Sequence, residues 1–587
     1  MKTKTLCACV LVFAMVFTLV GCSPDDGNLY GAATSEGGDY GGGGDVYVPP
    51  VYDYEDETPR YVVTDEVVTE PVAEAETSRD VNPRSGGDEP AMNTPQGVAA
   101  APMLEAVAEY SDNIIHDDES WRFAEFEANE DYNITEESGF KNAVLEPLST
   151  FSASPNTASY SNMRRFLGYG QVPQGVRIEE LVNYFSYDYP APSPNSPEPF
   201  SITAEIAACP WNGDNLLAMI GIQGAEIRDD EKVQNNVVFL IDVSGSMNSA
   251  NRLPLVRESF KMLVDTLDEN DIISIVTYAG SDRIVCDSMP GDRKNDLKNI
   301  IDNLTAGGST AGSKGITTAY ELAEKNFIVG GNNRVILATD GDFNVGVSSA
   351  DGLKRLIEEK KDGGVFLSVL GYGMGNLKDS TMENLAKYGN GNYAYIDTIQ
   401  EAKKVLVDEF DATMYVIAKD LKLQVEFNPG VVKEYRLIGY DNRRLANEDF
   451  DNDQKDAGDI GAGFSVTAFY ELVLADGEFD GNMLRYQTTE LTGSDDFFTV
   501  KIRYKAPDGD VSRLVEREIN AEHFTANPSR DFGFASAVAE FGLILTDSAY
   551  KGSANTDSVI TRASANLGED VYGLRKEFVE LVGRMPG

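Results

Sequence analysis

Short apolar runs alternate with amphipathic segments from about residue 235 to residue 410. The apolar runs begin at Val237, Ile272, Val335, Val365 and Tyr393. An unbroken run such as VVFLI (237–241) is typical of a strand that is buried on both faces of a parallel sheet. The segments with helical spacing are centred near Leu253, Leu297, Thr317, Leu353, Met382 and Ala402. The pattern predicts an α/β domain with a doubly wound, mostly parallel sheet.

Strand-like segments flank this α/β region on both sides. Two lie within residues 200–227 and are separated by a turn at 210–213; the others are 422–427, 432–438, 464–474 and 497–504. The arrangement predicts a β-sandwich whose chain is interrupted by the α/β domain. Helical patterns before and after the sandwich, near 157–185, 532–545 and 574–582, predict flanking N- and C-terminal helices. We expect these helices to pack together, because chain ends often lie close in a domain.

The first residues have the form of a secretory signal with a lipid-attachment site. Two lysines precede an apolar stretch that ends in LVGC, and this ending resembles a bacterial lipobox. The resemblance implies cleavage before Cys22 and acylation of that cysteine, which would anchor the protein to a membrane. Residues 22–105 are rich in glycine, proline and acidic residues, so a disordered tether is expected there. No later stretch approaches the ~20 apolar residues of a spanning helix.

Charge and composition narrow the classes of partner and chemistry. The chain has 96 acidic and 49 basic residues and a net charge of −47, which disfavours nucleic acid as a partner. The two histidines, His116 and His523, argue against a zinc site and against a Ser/His hydrolase. Beyond the signal and Cys22, the remaining cysteines are Cys209 and Cys286. We expect two free, buried thiols; a disulfide between them is the alternative.

Candidate chemistry lies where the first apolar run ends. Asp242, Ser244 and Ser246 place one carboxylate and two hydroxyls at alternate positions of a glycine-containing turn. Ligands of doubly wound sheets bind at the carboxyl ends of the strands, and oxygen donors suit Mg²⁺. A helix cap is the alternative explanation for these residues.

The D-x-S-x-S pattern resembles the metal-ion-dependent adhesion site of von Willebrand factor type A (VWA) domains. The resemblance extends to Thr310 in GGSTAGSKG and to Asp340 in ILATDGDFN, at the positions of the family's distal threonine and second acid. It implies that Asp242, Ser244, Ser246, Thr310 and Asp340 hold a divalent metal ion. Mg²⁺ is the expected ion, with Mn²⁺ or Ca²⁺ as alternatives.

Further segments resemble a family of bacterial VWA lipoproteins with a characteristic N-terminal region and a C-terminal domain of unknown function. These segments are residues 147–192, GYGMGNLKDSTMENLAKYGNGNYAYIDTIQEA (371–402) and FGFASAVAEFGLILTDSAYKG near the C-terminus. Ser154 and Asn156 stand where the family commonly has acids, and Phe464 stands where it often has histidine. An acidic stretch, DFDNDQKDAGDI (449–460), lacks the spacing of a calcium loop and is expected to be a solvated turn.

The resemblance and the patterns together divide the chain into seven parts. They are a signal peptide (1–21), a tether (22–105), an N-terminal VWA-associated helical region (106–197), the first sandwich strands (198–234), the VWA domain (235–412), the rest of the sandwich (413–525) and C-terminal helices (526–587).

The function that the resemblance implies is metal-dependent protein binding by a lipid-anchored protein of the bacterial cell envelope, at the outer membrane if the cell is Gram-negative. An open coordination position would accept an Asp or Glu carboxylate from a partner protein. No catalytic residue is expected, since no nucleophile with a base and no phosphate-binding loop occurs. The alternatives are a metal ion that only stabilises the fold and a Mg²⁺-dependent enzyme or chelatase-like subunit. The oligomeric state is left open.

Overall fold

The computed structural model describes residues 130–154, 156–193, 195–308, 314–341, 350–475, 491 and 493–586. The chain divides into two units, Met1–Pro95 and Gln96–Gly587, and all the described residues belong to the second. No helix within the described ranges is both long enough and apolar enough to cross a bilayer.

The elements are numbered in chain order. The N-terminal part contains β1 (Lys141–Asn142), β2 (Leu148–Ser152), α1 (Ala158–Gly168), α2 (Ile178–Val182), β3 (Phe200–Ala208) and β4 (Leu216–Gly224). The α/β part contains β5 (Asn235–Asp242), α3 (Leu253–Thr266), β6 (Ile272–Tyr278), β7 (Asp282–Pro290), α4 (Lys294–Asp302), α5 (Gly315–Lys325), β8 (Asn332–Thr339), α6 (Ala350–Asp362), β9 (Val365–Tyr372), α7 (Asp379–Tyr388), β10 (Tyr393–Ile396), α8 (Ile399–Lys403) and α9 (Phe410–Met414). The C-terminal part contains β11 (Val416–Phe427), β12 (Val432–Ile438), β13 (Gly458–Gly461), β14 (Ser465–Leu474), β15 (Phe498–Lys505), β16 (Ser512–Ile519), α10 (Arg530–Leu545), α11 (Thr556–Ala565) and α12 (Leu574–Val582).

The α/β part forms a sheet in the order β10-β9-β8-β5-β6-β7. All neighbouring strands are parallel except β6 and β7, which are antiparallel. Alternate residues of β5 enter different cores: Val237 and Phe239 pack with helix α3, whereas Val238 and Leu240 pack with helix α5. The doubly wound, mostly parallel sheet is therefore confirmed, and its central strand is apolar throughout because both faces are covered by helices.

The β-sandwich is built from strands on both sides of the α/β insert. One sheet has the order β1-β12-β14-β4-β3, and the other joins β13-β11-β15-β16, with β2 paired to β11. Strands β4 and β14 are antiparallel, with Gly221 opposite Thr467, although the whole α/β domain separates them in the chain. The two sheets share one apolar core. The interrupted sandwich is confirmed, and the α/β domain is attached to it at both ends.

The N-terminal region that was expected to be helical also supplies strands to both sheets. In β1, Lys141 lies opposite Tyr435, and in β2, Phe151 lies opposite Leu423. These strands are short and mostly polar, and so they have no apolar run by which to predict them. Strand β16 was missed for a related reason: most of its residues are exposed and half of them are charged, as suits an edge strand.

The helices near the two chain ends form one core, as the sequence predicted. Helices α1 and α2 pack with α10, α11 and α12 in a single apolar cluster. Its aromatic rings include a stacked pair, Tyr160 and Tyr184, with centroids 3.7 Å apart, and Phe185 edge-on to Phe534 at 4.9 Å. Cys209 lies in this cluster and Cys286 lies in the α/β core; both are buried and free.

Candidate metal centre

Two predicted site residues lie at adjacent strand ends. Asp242 is the last residue of β5, and Asp340 directly follows the last residue of β8. Both carboxylates meet at one edge of the sheet, because β5 and β8 are parallel neighbours with Ile241 opposite Ala338. Both residues have no exposed surface. The sheet thus brings two buried carboxyl groups to its carboxyl end, as the sequence predicted.

The turn after β5 brings the two serine hydroxyls to the same place. The Ser244 amide donates to Asp242 Oδ1 at 2.8 Å, and the Ser244 and Ser246 hydroxyl oxygens lie 2.9 Å apart. Thr339 Oγ1 donates to the other oxygen of Asp242 at 3.4 Å. Burial, with the nearby charge of Asp340, raises the pKa of Asp242 to about 6. A cation bound there would favour the ionised form that burial opposes.

Thr310 and Cys22 lie outside the described residues. The chain that leads to Thr310 is bonded to the motif turn: Gly307 N donates to Val243 O at 2.8 Å, and Gly245 N donates to Gly308 O at 3.2 Å.

Arg252 reaches this centre from the residue before helix α3, and the sequence motif does not include it. One guanidinium nitrogen lies 3.1 Å from Asp340 Oδ2 and donates to Ser246 O at 2.6 Å. The other donates to Met374 O at 2.7 Å and to Asn376 Oδ1 at 2.6 Å. No spacing rule connects an arginine at a helix start with a distant aspartate, so only the folded structure identifies this contact.

The loop 373–378, between β9 and α7, borders the centre and also receives the first described segment of the chain. Asp131 N donates to Leu377 O at 2.9 Å, and Gly375 N donates to Glu130 Oε1 at 2.7 Å. Arg165 of helix α1 holds Glu130 through a buried ion pair of 2.7 Å. Glu130 and Asp131 are therefore held beside the loop that Arg252 contacts.

The donor set fits a hard divalent cation. It consists of two carboxylates and two hydroxyls, all oxygen, at the edge where doubly wound sheets bind ligands. The described residues contain no group of three or more His, Cys, Asp or Glu side chains suited to a metal. The site at the sheet edge instead combines two acids with two hydroxyls.

Other candidate positions have structural roles. Asn156 Oδ1 accepts from Tyr393 N at 3.1 Å, and the Phe464 carbonyl accepts from Gly224 N at 2.9 Å. In the acidic stretch 449–460, Asp451 pairs with Arg503 at 2.5 Å. The carbonyl of Asp453 accepts from Lys505 at 2.7 Å. Basic side chains of β15 thus contact that turn at Asp451 and Asp453.

A cavity of about 470 Å³ lies at the opposite, amino end of β5 and is lined by Asn235, Asp268, Asp271 and Tyr415 among others. There, Asp271 Oδ1 accepts hydrogen bonds from the side-chain nitrogen of Asn235 at 2.7 Å and from its backbone nitrogen at 3.2 Å. This cavity lies away from the candidate metal centre.

Family comparisons agree with this architecture. The family described as von Willebrand factor type A domain matches residues 236–408, and one described as von Willebrand factor matches residues 126–219. A third, described as Uncharacterized protein YfbK, C-terminal, matches residues 412–586. The fold and the motif turn thus define a VWA-domain protein.

A similar protein identifies the family of this chain more narrowly. The protein YfbK of Escherichia coli (strain K12) is 42% identical over 463 residues, which cover 77% of this chain and 80% of that protein. The chain therefore belongs to the YfbK family of VWA-domain proteins. The resemblance to VWA proteins with their own C-terminal domain is confirmed, while lipid attachment stays a prediction.

Solved structures of other proteins align with parts of the chain. A von Willebrand factor type A structure from Catenulispora acidiphila covers 65% of this chain and 91% of its own, with 16% identity and a TM-score of 0.39. Proximal thread matrix protein 1 of the mussel byssus, solved with a zinc-occupied MIDAS motif, covers 30% of this chain and 45% of its own, with 22% identity and a TM-score of 0.25.

Proposed function

We propose that this protein binds another protein through a divalent metal ion at the carboxyl edge of its VWA sheet. The observation that carries the proposal is the convergence of two buried carboxylates, Asp242 and Asp340, with the hydroxyls of Ser244 and Ser246. Thr310 is proposed as a further ligand on the strength of the motif alone. Mg²⁺ is the proposed ion, because the donors are all oxygen.

The bound ion would supply a positive centre for an Asp or Glu carboxylate of the partner. Asp242 is held by the Ser244 amide and approached by the Thr339 hydroxyl, so its carboxylate is fixed before an ion arrives. Its buried setting strengthens charge interactions relative to water. We propose binding rather than catalysis, and we place the protein in the cell envelope on the strength of the predicted signal and Cys22.

Isothermal titration of Mg²⁺ and Mn²⁺ into the full-length protein in detergent tests the metal site. Wild type is expected to bind one ion per chain, and Asp242→Ala is expected to show no measurable binding while its circular dichroism matches wild type. Asp508→Ala, which removes an exposed carboxylate from the β15–β16 turn, should bind like wild type. Equal binding by wild type and Asp242→Ala would refute the site.

Cross-linking in intact cells tests the partner. Adducts that form with wild type, and disappear both with a chelator and in Asp242→Ala, are expected. An adduct that forms equally in all three conditions would assign partner binding to another surface.

A further inference from the structure

Arg252 is built into the metal centre by contacts on three separate segments of chain. Its guanidinium donates hydrogen bonds to Ser246 O in the motif turn and to Met374 O and Asn376 Oδ1 in the β9–α7 loop. It also forms an ion pair with Asp340 at the end of β8. Its side chain is only 12% exposed. A cation that is held by three hydrogen bonds and one ion pair from three segments has a fixed position.

Gly373 makes room for this side chain. It has a φ of +77°, and a Cβ there would lie 2.3 Å from Arg252 Nε and 2.6 Å from Arg252 Cγ. Any other residue at this position would collide with the guanidinium. The β9–α7 loop and Arg252 are therefore fitted to each other.

The charge of Arg252 changes the electrostatics of the centre. Asp242 and Asp340 would together present two negative charges to an ion, and the guanidinium 3.1 Å from Asp340 offsets one of them. An arginine does not lose its proton in a protein, so this compensation is permanent. A divalent ion would then meet one uncompensated carboxylate and keep more of its own positive charge.

We infer that Arg252 is a resident counter-cation that weakens the affinity of the centre for the free metal ion and keeps the bound ion attractive to an acidic partner. This inference rests on the proposed function. Arg252 acts through Asp340 and is therefore a positioning and specificity residue. It gives a physical reason for a centre that is completed only when a partner carboxylate is added.

Titration of Mg²⁺ alone into the full-length protein tests the inference. Arg252→Gln removes the charge and keeps a donor for the loop carbonyls, so Mg²⁺ should bind about tenfold more tightly than in wild type. Arg252→Lys keeps the charge and should stay within about threefold of wild type by the same reasoning. Arg517→Gln, which removes an exposed charge from β16 in the sandwich, should have no effect.

The direction of the change in Mg²⁺ affinity distinguishes this electrostatic role from a purely structural one. A residue that only supports the loop would weaken Mg²⁺ binding when it is replaced, so unchanged or weaker binding by folded Arg252→Gln overturns the inference. If the Gln variant does not fold, Arg252→Met, which retains the aliphatic part of the side chain, replaces it. Tighter Mg²⁺ binding by this variant supports the inference, and unchanged or weaker binding overturns it. Absence of Mg²⁺ binding by wild type would overturn the proposed function, and the inference with it.

Discussion

Glu179 is a buried carboxyl group that supports a tight turn of the sandwich. Its Oε2 accepts from Tyr440 N at 2.9 Å, and both Gly439 and Tyr440 have left-handed backbone, with φ of +74° and +59°. Glu179 is only 3% exposed, and burial with the neighbouring charge of Glu180 raises its pKa to about 7. Helix α2 thus supports the end of β12 with a group that prefers to be protonated.

This raised pKa makes stability depend on pH. Glu179 holds its proton more tightly in the folded state than in the unfolded chain, where the pKa is about 4.5. Its contribution is therefore full below about pH 4.5 and is lost as the pH rises through about 7. Urea unfolding at pH 5 and pH 8 should show that Glu179→Gln is less sensitive to pH than wild type, by up to about 3 kcal/mol.

Glu522→Gln is the control, because its side chain is exposed and its pH dependence should equal that of wild type. An unchanged pH dependence in Glu179→Gln would mean that Glu179 is ionised in the folded protein throughout this range.

At the scale of the elements, the sequence predicts a strand or helix when the burial of that element leaves an apolar pattern in its own residues. Strands β5 and β8 are buried along their whole length, and their apolar runs were recognised for that reason. Strands β2 and β13 are defined by pairing with distant segments, and their own composition carries little signal.

The residues of the candidate site also fall into those that the sequence predicts and those that it does not. Asp242, Ser244 and Ser246 were found because they lie in one short turn, and Asp340 was found because it follows an apolar run. Arg252 was missed because its contacts depend on how helix α3 and the β9–α7 loop pack. Nothing in the sequence distinguishes Gly373 from other loop glycines, and its role follows only from its contact with Arg252.

The joint between the VWA sheet and the sandwich depends on one glycine. Gly461, the last residue of β13, lies so close to helix α9 that a Cβ would be 1.6 Å from Ala412 O. Gly461→Ala must push the helix and the strand apart, so we expect a loss of about 3 kcal/mol or more in the free energy of unfolding. Chemical denaturation measures this loss.

Gly213→Ala is the matched control, since no atom lies within 4 Å of a Cβ at that turn. Equal stability of the two variants would show that α9 and β13 can separate without cost.

At the scale of the whole molecule, Arg164 connects three parts of the chain. From helix α1 it pairs with Asp397 and Glu401 of the VWA domain, each at 2.6 Å, and with Glu577 of helix α12 at 3.2 Å. Its own side chain is 8% exposed. Loss of this cation would leave buried carboxylates without their partner, which typically costs 3–5 kcal/mol.

Arg164→Met should therefore lower the free energy of unfolding by about 3 kcal/mol or more. Amide hydrogen exchange should increase together in α1, α8 and α12, because all three lose the same contact. Arg517→Met, on the exposed face of β16, is the control. Faster exchange confined to α1 would mean that the VWA domain and the C-terminal helices are held together by other contacts.

The proposed membrane anchor is tested on the whole protein in cells. Cys22→Ala should move the protein from the membrane fraction to the soluble fraction of the envelope, because the proposed acylation would supply the anchor. Fractionation with immunoblotting measures this shift, and Cys209→Ala controls for loss of a thiol that is buried in the folded unit. Continued membrane association of a Cys22→Ala protein from which residues 1–21 have been removed would refute lipid attachment at that residue.

The docking of Glu130 and Asp131 on the loop 373–378 has a mechanical consequence. A force applied at Glu130 would first load its bonds to Gly375 N and Arg165. The same loop accepts hydrogen bonds from Arg252 at Met374 O and Asn376 Oδ1. A pull on Glu130 would therefore strain the surroundings of Asp340 through that loop, so the geometry of the candidate metal centre and a force on this segment would be linked.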